Sequence, residues 1–267
     1  MKIINLKYYT ALLLLALIAT SCQKVIQLDL GNESGKLVIE ANFTDVVSTQ
    51  AVKLSRNVPF TSTNTYPPVT GATVTMDNHH GRIINFTETS PGYYSVDSLG
   101  GIDGRSYTMS VVTGGTTYNA NSTMPDLVVL DSIASATNIF DNKDNTRMIT
   151  VFFQDPGTEP NYYRFVMYVN HVQVKRVFAF DDQFFNGKYV NFNLQQNDID
   201  IHPGDVVTVE MQCLDKPVYT YWFTLSQQEG DNPGGQIAPS NPPGNFTPTV
   251  LGYFSAHTTQ SITLVTK

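Results

Sequence analysis

Residues 207–213 read Val-Thr-Val-Glu-Met-Gln-Cys, and every second side chain in this stretch is apolar. A period of two places one set of side chains on a single face of a β-strand: Val207, Val209, Met211 and Cys213. On that face Cys213 is expected to be a buried apolar residue rather than half of a disulfide bond. The stretch therefore predicts a half-buried strand and favours a β protein.

The composition of the chain agrees with this prediction. Only 15% of the 267 residues are charged, against about 25% in a typical globular protein. Thr, Ser, Asn, Tyr and Val take up much of the difference, and several of these suit half-buried strands. The net charge is −7 and no cluster of Lys and Arg occurs. Nucleic-acid binding is therefore not expected.

Toward the N-terminus, short alternating runs recur at the spacing of a β-sandwich. Tyr107, Met109 and Val111 alternate with polar residues, and Gly114-Gly115 then indicates a tight hairpin. Strands at this spacing predict an immunoglobulin-like (Ig-like) sandwich over residues 36–125.

A second β-rich region follows a boundary at Met124-Pro125-Asp126 and spans residues 126–267. It contains one helix, expected near residues 216–229, because Asp215 can cap its first turn and Pro217 suits that turn. The predicted fold class is mainly β, with two β-sandwich-like (Ig-like) modules and one short helix in the second.

The chain begins with the anatomy of a secretory signal. A short positive segment containing Lys2 and Lys7 precedes an apolar run at residues 11–19. That run is too short to cross a bilayer, because crossing requires about 20 apolar residues. Residues 1–21 are therefore predicted to be a signal peptide.

Cys22 directly follows the small residues Thr20 and Ser21, in an arrangement that resembles the bacterial lipobox. In that motif the cysteine is acylated and becomes the first residue of the mature protein, here followed by a tether over residues 22–35. The alternative is an ordinary signal peptide with an incidental cysteine. We predict that Cys22 is the lipid attachment site and that the lipid holds the protein at a membrane.

Six motifs spread over the mature chain resemble the DUF4249 family of Bacteroidota lipoproteins: Cys22-Gln-Lys-Val-Ile-Gln-Leu-Asp-Leu30, Pro68-Val-Thr-Gly-Ala-Thr-Val74, Ser90-Pro-Gly-Tyr-Tyr94, Gly104-Arg-Ser-Tyr-Thr108, Asn161-Tyr-Tyr-Arg-Phe165 and Gly252-Tyr-Phe-Ser-Ala256. The resemblance implies an outer-membrane lipoprotein, with a fatty acid such as palmitate on Cys22, and no established enzymatic activity. It also implies an accessory role beside a TonB-dependent transporter. The resemblance does not decide which side of the outer membrane the protein faces. Gln23 and Lys24 occupy positions where surface-exported lipoproteins of this phylum often have acidic residues.

No catalytic, cofactor or metal site is predicted. The five histidines show no His-x-x-x-His or Cys/His spacing, and the chain has neither a Gly-x-Ser-x-Gly elbow nor a phosphate-binding loop. Four of the histidines lie in predicted turns, where such side chains are usually solvated: His79, His80, His171 and His202. We therefore expect no enzymatic activity, no cofactor and no bound metal.

Two further groups have both a functional and a structural interpretation. Residues 141–145 and Asp181-Asp182 offer oxygen ligands for calcium, but the first lacks the Gly and Glu of an EF-hand and includes Lys143. Solvated loops are therefore favoured. A set of aromatic residues could stack on a sugar, but core packing is favoured because alternate strand residues point inward: Tyr162-Tyr163, Phe184-Phe185, Tyr219, Tyr221 and Trp222.

The leading functional hypothesis is a lipid-anchored, non-catalytic cell-envelope protein. It would act as an accessory or binding partner of an outer-membrane, TonB-dependent transport system, with a ligand that the sequence does not identify. The alternative is a surface adhesin or glycan-binding structural lipoprotein. A third hypothesis, an enzyme of an unrecognised type, requires a deep cleft with converging acidic or His side chains.

Overall fold

The computed structural model describes residues 34–59, 62, 65–139, 145–228 and 240–267. Within these ranges it contains sixteen strands and one helix, α1 (Lys216–Ser226). The strands are β1 (Leu37–Thr44), β2 (Ser48–Arg56), β3 (Thr73–Asp77), β4 (Ile83–Ser90), β5 (Tyr93–Leu99), β6 (Ser106–Thr113), β7 (Thr116–Thr123), β8 (Leu130–Thr137), β9 (Arg147–Gln154), β10 (Tyr162–Val169), β11 (Val172–Gln173), β12 (Phe178–Asp181), β13 (Tyr189–Leu194), β14 (Val206–Cys213), β15 (Phe246–Thr247) and β16 (Leu251–Val265).

The strands form one large and one small sheet. The large sheet has the order β11-β10-β14-β16-β1-β2-β5-β4-β3-β6-β7-β15, and β12 adds to β10. The small sheet has the order β13-β9-β8. Among these described strands β1 and β16 pair in parallel, and their neighbours pair antiparallel. This architecture confirms the prediction of a mainly β, sandwich-like protein with one short helix.

The last strand, β16, joins the two halves of the large sheet. Its first half, from Leu251 to His257, pairs with β1, and its second half, from Thr258 to Val265, pairs with β14. Two short alternating segments of the sequence, residues 252–256 and 261–265, therefore belong to one continuous strand of 15 residues.

The buried side chains of the strands and of the segments between them form two main hydrophobic clusters. One is built mostly from residues between Leu37 and Met124, together with Phe254 of β16. The other is built from residues between Val128 and Cys213. Residues 34–267 form one compact unit, and the predicted domain boundary near residue 125 stays a prediction.

Cys213 lies in the second cluster and is 3% exposed. Its thiol is free, and its sulfur accepts a hydrogen bond from the backbone N–H of Val128 at 3.4 Å. Burial raises the pKa of this thiol, which keeps it protonated and unreactive. The prediction of a buried, unpaired cysteine is confirmed.

Helix α1 begins where the sequence predicted, directly after the cap residue Asp215, and ends at Ser226. The Oδ1 atom of Asp215 accepts from the backbone N–H of Val218 at 3.1 Å. Its Oδ2 atom accepts from the hydroxyl of Ser122 and the backbone N–H of Thr123 in β7. The cap thus fixes the start of the helix and also ties it to the large sheet. No helix in the described part of the chain is long and apolar enough to cross a bilayer.

Candidate functional site

The predicted lipid attachment site, Cys22, lies outside the residues that the structure describes, as do residues 141–144 of the first acidic loop. Both interpretations therefore stay predictions. The second acidic pair is described. Asp182 is buried and accepts from the backbone N–H of Asn161 at 2.9 Å, and Asp181 accepts from the hydroxyl of Tyr219 at 3.2 Å. These carboxylates bind groups of the protein itself.

The four turn histidines are exposed. The ring of His79 shares a hydrogen bond with the hydroxyl of Thr108 at 2.8 Å, and the Asn170-His171 pair forms the left-handed turn between β10 and β11. Within the described ranges, no three His, Cys, Asp or Glu side chains are grouped closely enough to hold a metal ion. His79 and His80 share the turn between β3 and β4, whereas His171 and His202 lie in two other turns.

The fifth histidine, His257, occupies a different environment that the sequence did not reveal. It lies in β16 and is 2% exposed, and its Nδ1 atom shares a hydrogen bond with the hydroxyl of Ser255 at 2.9 Å. Burial, followed by the positive charge of Arg164, lowers the pKa of His257 to about 3. The imidazole is therefore neutral at physiological pH and is a very weak base.

Arg164 lies on the face of β10 that packs against α1. Its guanidinium stacks on the ring of Trp222 at 3.6 Å and donates one hydrogen bond to the side chain of Gln212 at 2.9 Å. The Nε–H group has no partner and is buried. Burial lowers the pKa of Arg164. This cation is held mainly by an aromatic ring, because no carboxylate of the described residues forms an ion pair with it.

The predicted aromatic set is largely core, as the sequence suggested. Tyr163 is fully buried and donates to the buried carboxylate of Asp155. Tyr162 stacks on Tyr219 with ring centroids 4.9 Å apart, and Trp222 packs against Tyr253 at 5.2 Å. The exception is Phe184, which is 82% exposed at the tip of a turn.

A polar hollow of about 420 Å³ lies on the outward face of β1, β2 and β5. We define it by six of its lining residues: Glu40, Asn42, Thr49, Ala51, Lys53 and Tyr93. The small side chain of Ala51 faces outward between its cross-strand neighbours Asn42 and Ser95, which leaves a depression in the sheet. The ring of Tyr93 is 41% exposed beside Lys53, which pairs with Glu40 at 3.4 Å. Such a hollow offers hydrogen-bonding groups and one aromatic face.

A second concavity, the edge cleft, has a volume of about 540 Å³. It lies between β12, β13 and the C-terminal end of α1, and we define it by six of its lining residues: Arg176, Phe178, Phe180, Asn191, Phe192 and Phe223. The rings of Phe180 and Phe192 meet with centroids 4.3 Å apart. Phe223, from the helix, is 40% exposed.

The fold and these surfaces define a β-sandwich type of protein whose described concavities are open and lined by hydrogen-bonding and aromatic groups. The sequence matches the family described as "Domain of unknown function (DUF4249)" over residues 23–263, and the chain belongs to that family. The resemblance in the motifs is thereby confirmed at the level of the family.

A search of the curated proteins finds no match. Among solved structures, the chain is similar to the adhesin InvE of Yersinia pseudotuberculosis, with 20% sequence identity and a TM-score of 0.20. The similarity covers 67% of this chain and 57% of that structure's chain. The chain therefore spans a little over half the length of that adhesin structure.

Proposed function

We propose that this chain is a lipid-anchored, non-catalytic envelope protein that acts as a binding partner of an outer-membrane, TonB-dependent transport system. The observation that carries the proposal is the position of Cys22, directly after the predicted signal peptide and twelve residues before Ser34, where the described body begins. Twelve residues reach at most about 40 Å. A lipid on Cys22 would therefore hold the body, with its hollow and cleft, close to the membrane surface.

Two of the described side chains with strongly shifted pKa values, His257 and Tyr163, are poorly suited to catalysis. The pKa of His257 is lowered to about 3, so it is a poor general base, and its hydroxyl neighbour Ser255 is 1% exposed. The pKa of Tyr163 is raised by burial and by its bond to Asp155, and both residues lie in the core. These groups stabilise the fold and do not open toward a substrate.

Replacing Cys22 with Ser tests the anchor directly. We expect the wild-type protein to incorporate an alkyne analogue of palmitate and to sediment with the outer membrane. Cys22→Ser is expected to lose the label completely and to leave the membrane fraction, because a hydroxyl does not replace the thiol that receives the lipid group. Cys213→Ala is the matched control, since it removes the other cysteine and should keep both label and location. A labelled, membrane-bound Cys22→Ser protein would contradict the proposal.

The partner is tested separately, by affinity purification from solubilised outer membranes. The wild-type protein is expected to enrich a TonB-dependent transporter over an unrelated lipoprotein prepared in the same way. Recovery of no transporter under several growth conditions would refute the accessory role while leaving the anchor intact.

A second candidate function, glycan binding at the cell surface, is favoured by the polar hollow. We expect Tyr93→Ala to weaken binding of a neutral oligosaccharide at least about tenfold, or ~1.4 kcal/mol, because the exposed ring is the stacking surface of the hollow. Binding is measured by titration calorimetry with maltotriose, cellotriose and mannotriose. The matched control is Tyr66→Ala, which removes another exposed tyrosine, one that does not line the hollow. Equal binding by the two variants, or no binding by the wild type, would exclude this function for the hollow.

A further inference from the structure

Strands β12 and β13 are connected by one turn but belong to different sheets. The turn spans residues 182–188, and β12 then pairs with β10 of the large sheet, whereas β13 pairs with β9 of the small sheet. Among the described strands neither has a partner on its other edge. The edge cleft is lined by residues of both strands and of the C-terminal end of α1.

The register shows which backbone groups face the cleft. In an antiparallel pair, alternate residues turn both their N–H and C=O groups toward the same neighbour. Directly before β13, the carbonyl of Lys188 accepts a hydrogen bond from the N–H of Asp155, on the β9 side. Val190 and Phe192 therefore also face β9, and Asn191 faces away from it.

The same reasoning applies to β12. The carbonyl of Tyr162 accepts from the N–H of Leu214 on the β14 side, so the backbone groups of Tyr163 face β12. Tyr163 is opposite Phe180, which makes Phe180 a bonded position and leaves the backbone of Ala179 facing outward. No backbone hydrogen bond of Ala179 or Asn191 to a described residue is present at these edges.

The cleft also has features that suit side chains. The paired rings of Phe180 and Phe192 form an apolar floor, and Phe223 adds a partly exposed ring from α1. Arg176 is exposed at the rim, in a chain whose net charge is −7. Unpaired strand edges usually carry features that prevent pairing, but here two edges and an apolar floor meet in one cleft.

We propose that the edge cleft binds an extended peptide segment of a partner protein, by addition of a strand to the free edges of β12 and β13. Backbone groups of the peptide would pair with those edges, an apolar side chain would contact the phenylalanine floor, and an acidic side chain would approach Arg176. The inference goes beyond the proposed function, because it depends neither on the lipid nor on a transporter.

The test uses random dodecapeptides displayed on phage and selected against the purified full chain. Selected peptides are expected to bind Asn191→Pro at least tenfold more weakly than the wild type, because proline removes the outward N–H. It should leave the pairing with β9 intact, since that N–H does not face β9. The matched control Asn191→Ala keeps the N–H and should bind within twofold of the wild type. Thermal unfolding of both variants reports whether the fold is kept.

A second measurement does not depend on the variant folding. Peptides carrying N-methyl groups at alternate backbone nitrogens are titrated against the wild-type chain. Each of the two alternating sets is expected to bind at least tenfold more weakly than the unmodified peptide, because alternate residues of the added strand face β12 and β13. Binding of either methylated set as strong as that of the unmodified peptide, equal binding to the Pro and Ala variants, or selection of no peptide would overturn the proposal. Self-association of the wild type that Asn191→Pro abolishes would instead identify a second copy as the occupant and would also overturn it.

Discussion

Gly252→Ala is expected to destabilise the protein by more than about 4 kcal/mol, a loss large enough to unfold many domains. Gly252 is the second residue of β16 and lies opposite Ile39, with a φ of +95°. A Cβ atom at this position would lie 2.0 Å from the carbonyl oxygen of Ile39, which is backbone and cannot rotate away. The parallel pairing of β1 with β16 would have to separate. Urea denaturation and the yield of soluble protein measure the effect.

Gly204→Ala provides the matched control. Gly204 has the same φ of +95°, but a Cβ atom added there meets nothing within 4 Å. The free energy of unfolding of this variant should fall only by the strain of a side chain on a left-handed backbone, about 1–2 kcal/mol. The difference between the two variants isolates the steric clash at the β1–β16 pair. Equal unfolding midpoints for the two variants would contradict the close approach of these strands.

Acidification is expected to destabilise the wild-type protein through His257. The folded-state pKa of about 3 is below the usual value of 6.5, so between these pH values the unfolded chain binds a proton that the folded chain excludes. The contribution of the neutral, buried His257 to the free energy of unfolding is therefore fully present above pH 6.5. It is lost as the pH falls toward 3. It amounts to about 5 kcal/mol in total, at ~1.4 kcal/mol for each pKa unit. About half of this is lost by pH 4.5.

His257→Asn removes the titrating ring and keeps a polar atom near Ser255. Its free energy of unfolding should fall less between pH 7 and pH 4.5 than that of the wild type, by ~2–3 kcal/mol. Carboxylates that also titrate in this range are common to both proteins and cancel in the difference. The control His202→Gln changes an exposed turn histidine and reports the effect of removing a histidine that lies outside the core. A His257→Asn protein with the wild-type slope would show that His257 is not excluded from protonation.

Local patterns in the sequence predicted individual elements well. The alternation at residues 207–213 became β14, with Val207, Val209, Met211 and Cys213 all buried. Asp215 and Pro217 marked the start of α1. Such elements can be predicted from the sequence because a strand, a turn or a helix cap depends on residues within a few positions of one another.

The candidate binding surfaces were less predictable. The polar hollow combines Asn42 and Tyr93, and the edge cleft combines Phe180, Phe192 and Phe223. These residues come from separate elements, and only Tyr93 lies in one of the six family motifs. Their proximity follows from strand order and from the pairing of β12 and β13 with different sheets, which alternation alone does not specify.

The sequence alone determined the strand character of the chain, the start of its helix, the buried state of Cys213 and the family to which it belongs. Tertiary structure decided the rest. β1 pairs in parallel with β16, more than 200 residues later, and this pairing buries His257 and brings Gly252 against Ile39. The physical reason is that long-range pairing is chosen by the summed burial and hydrogen bonding of the whole sheet, whereas local pattern reports only which face of a strand is apolar.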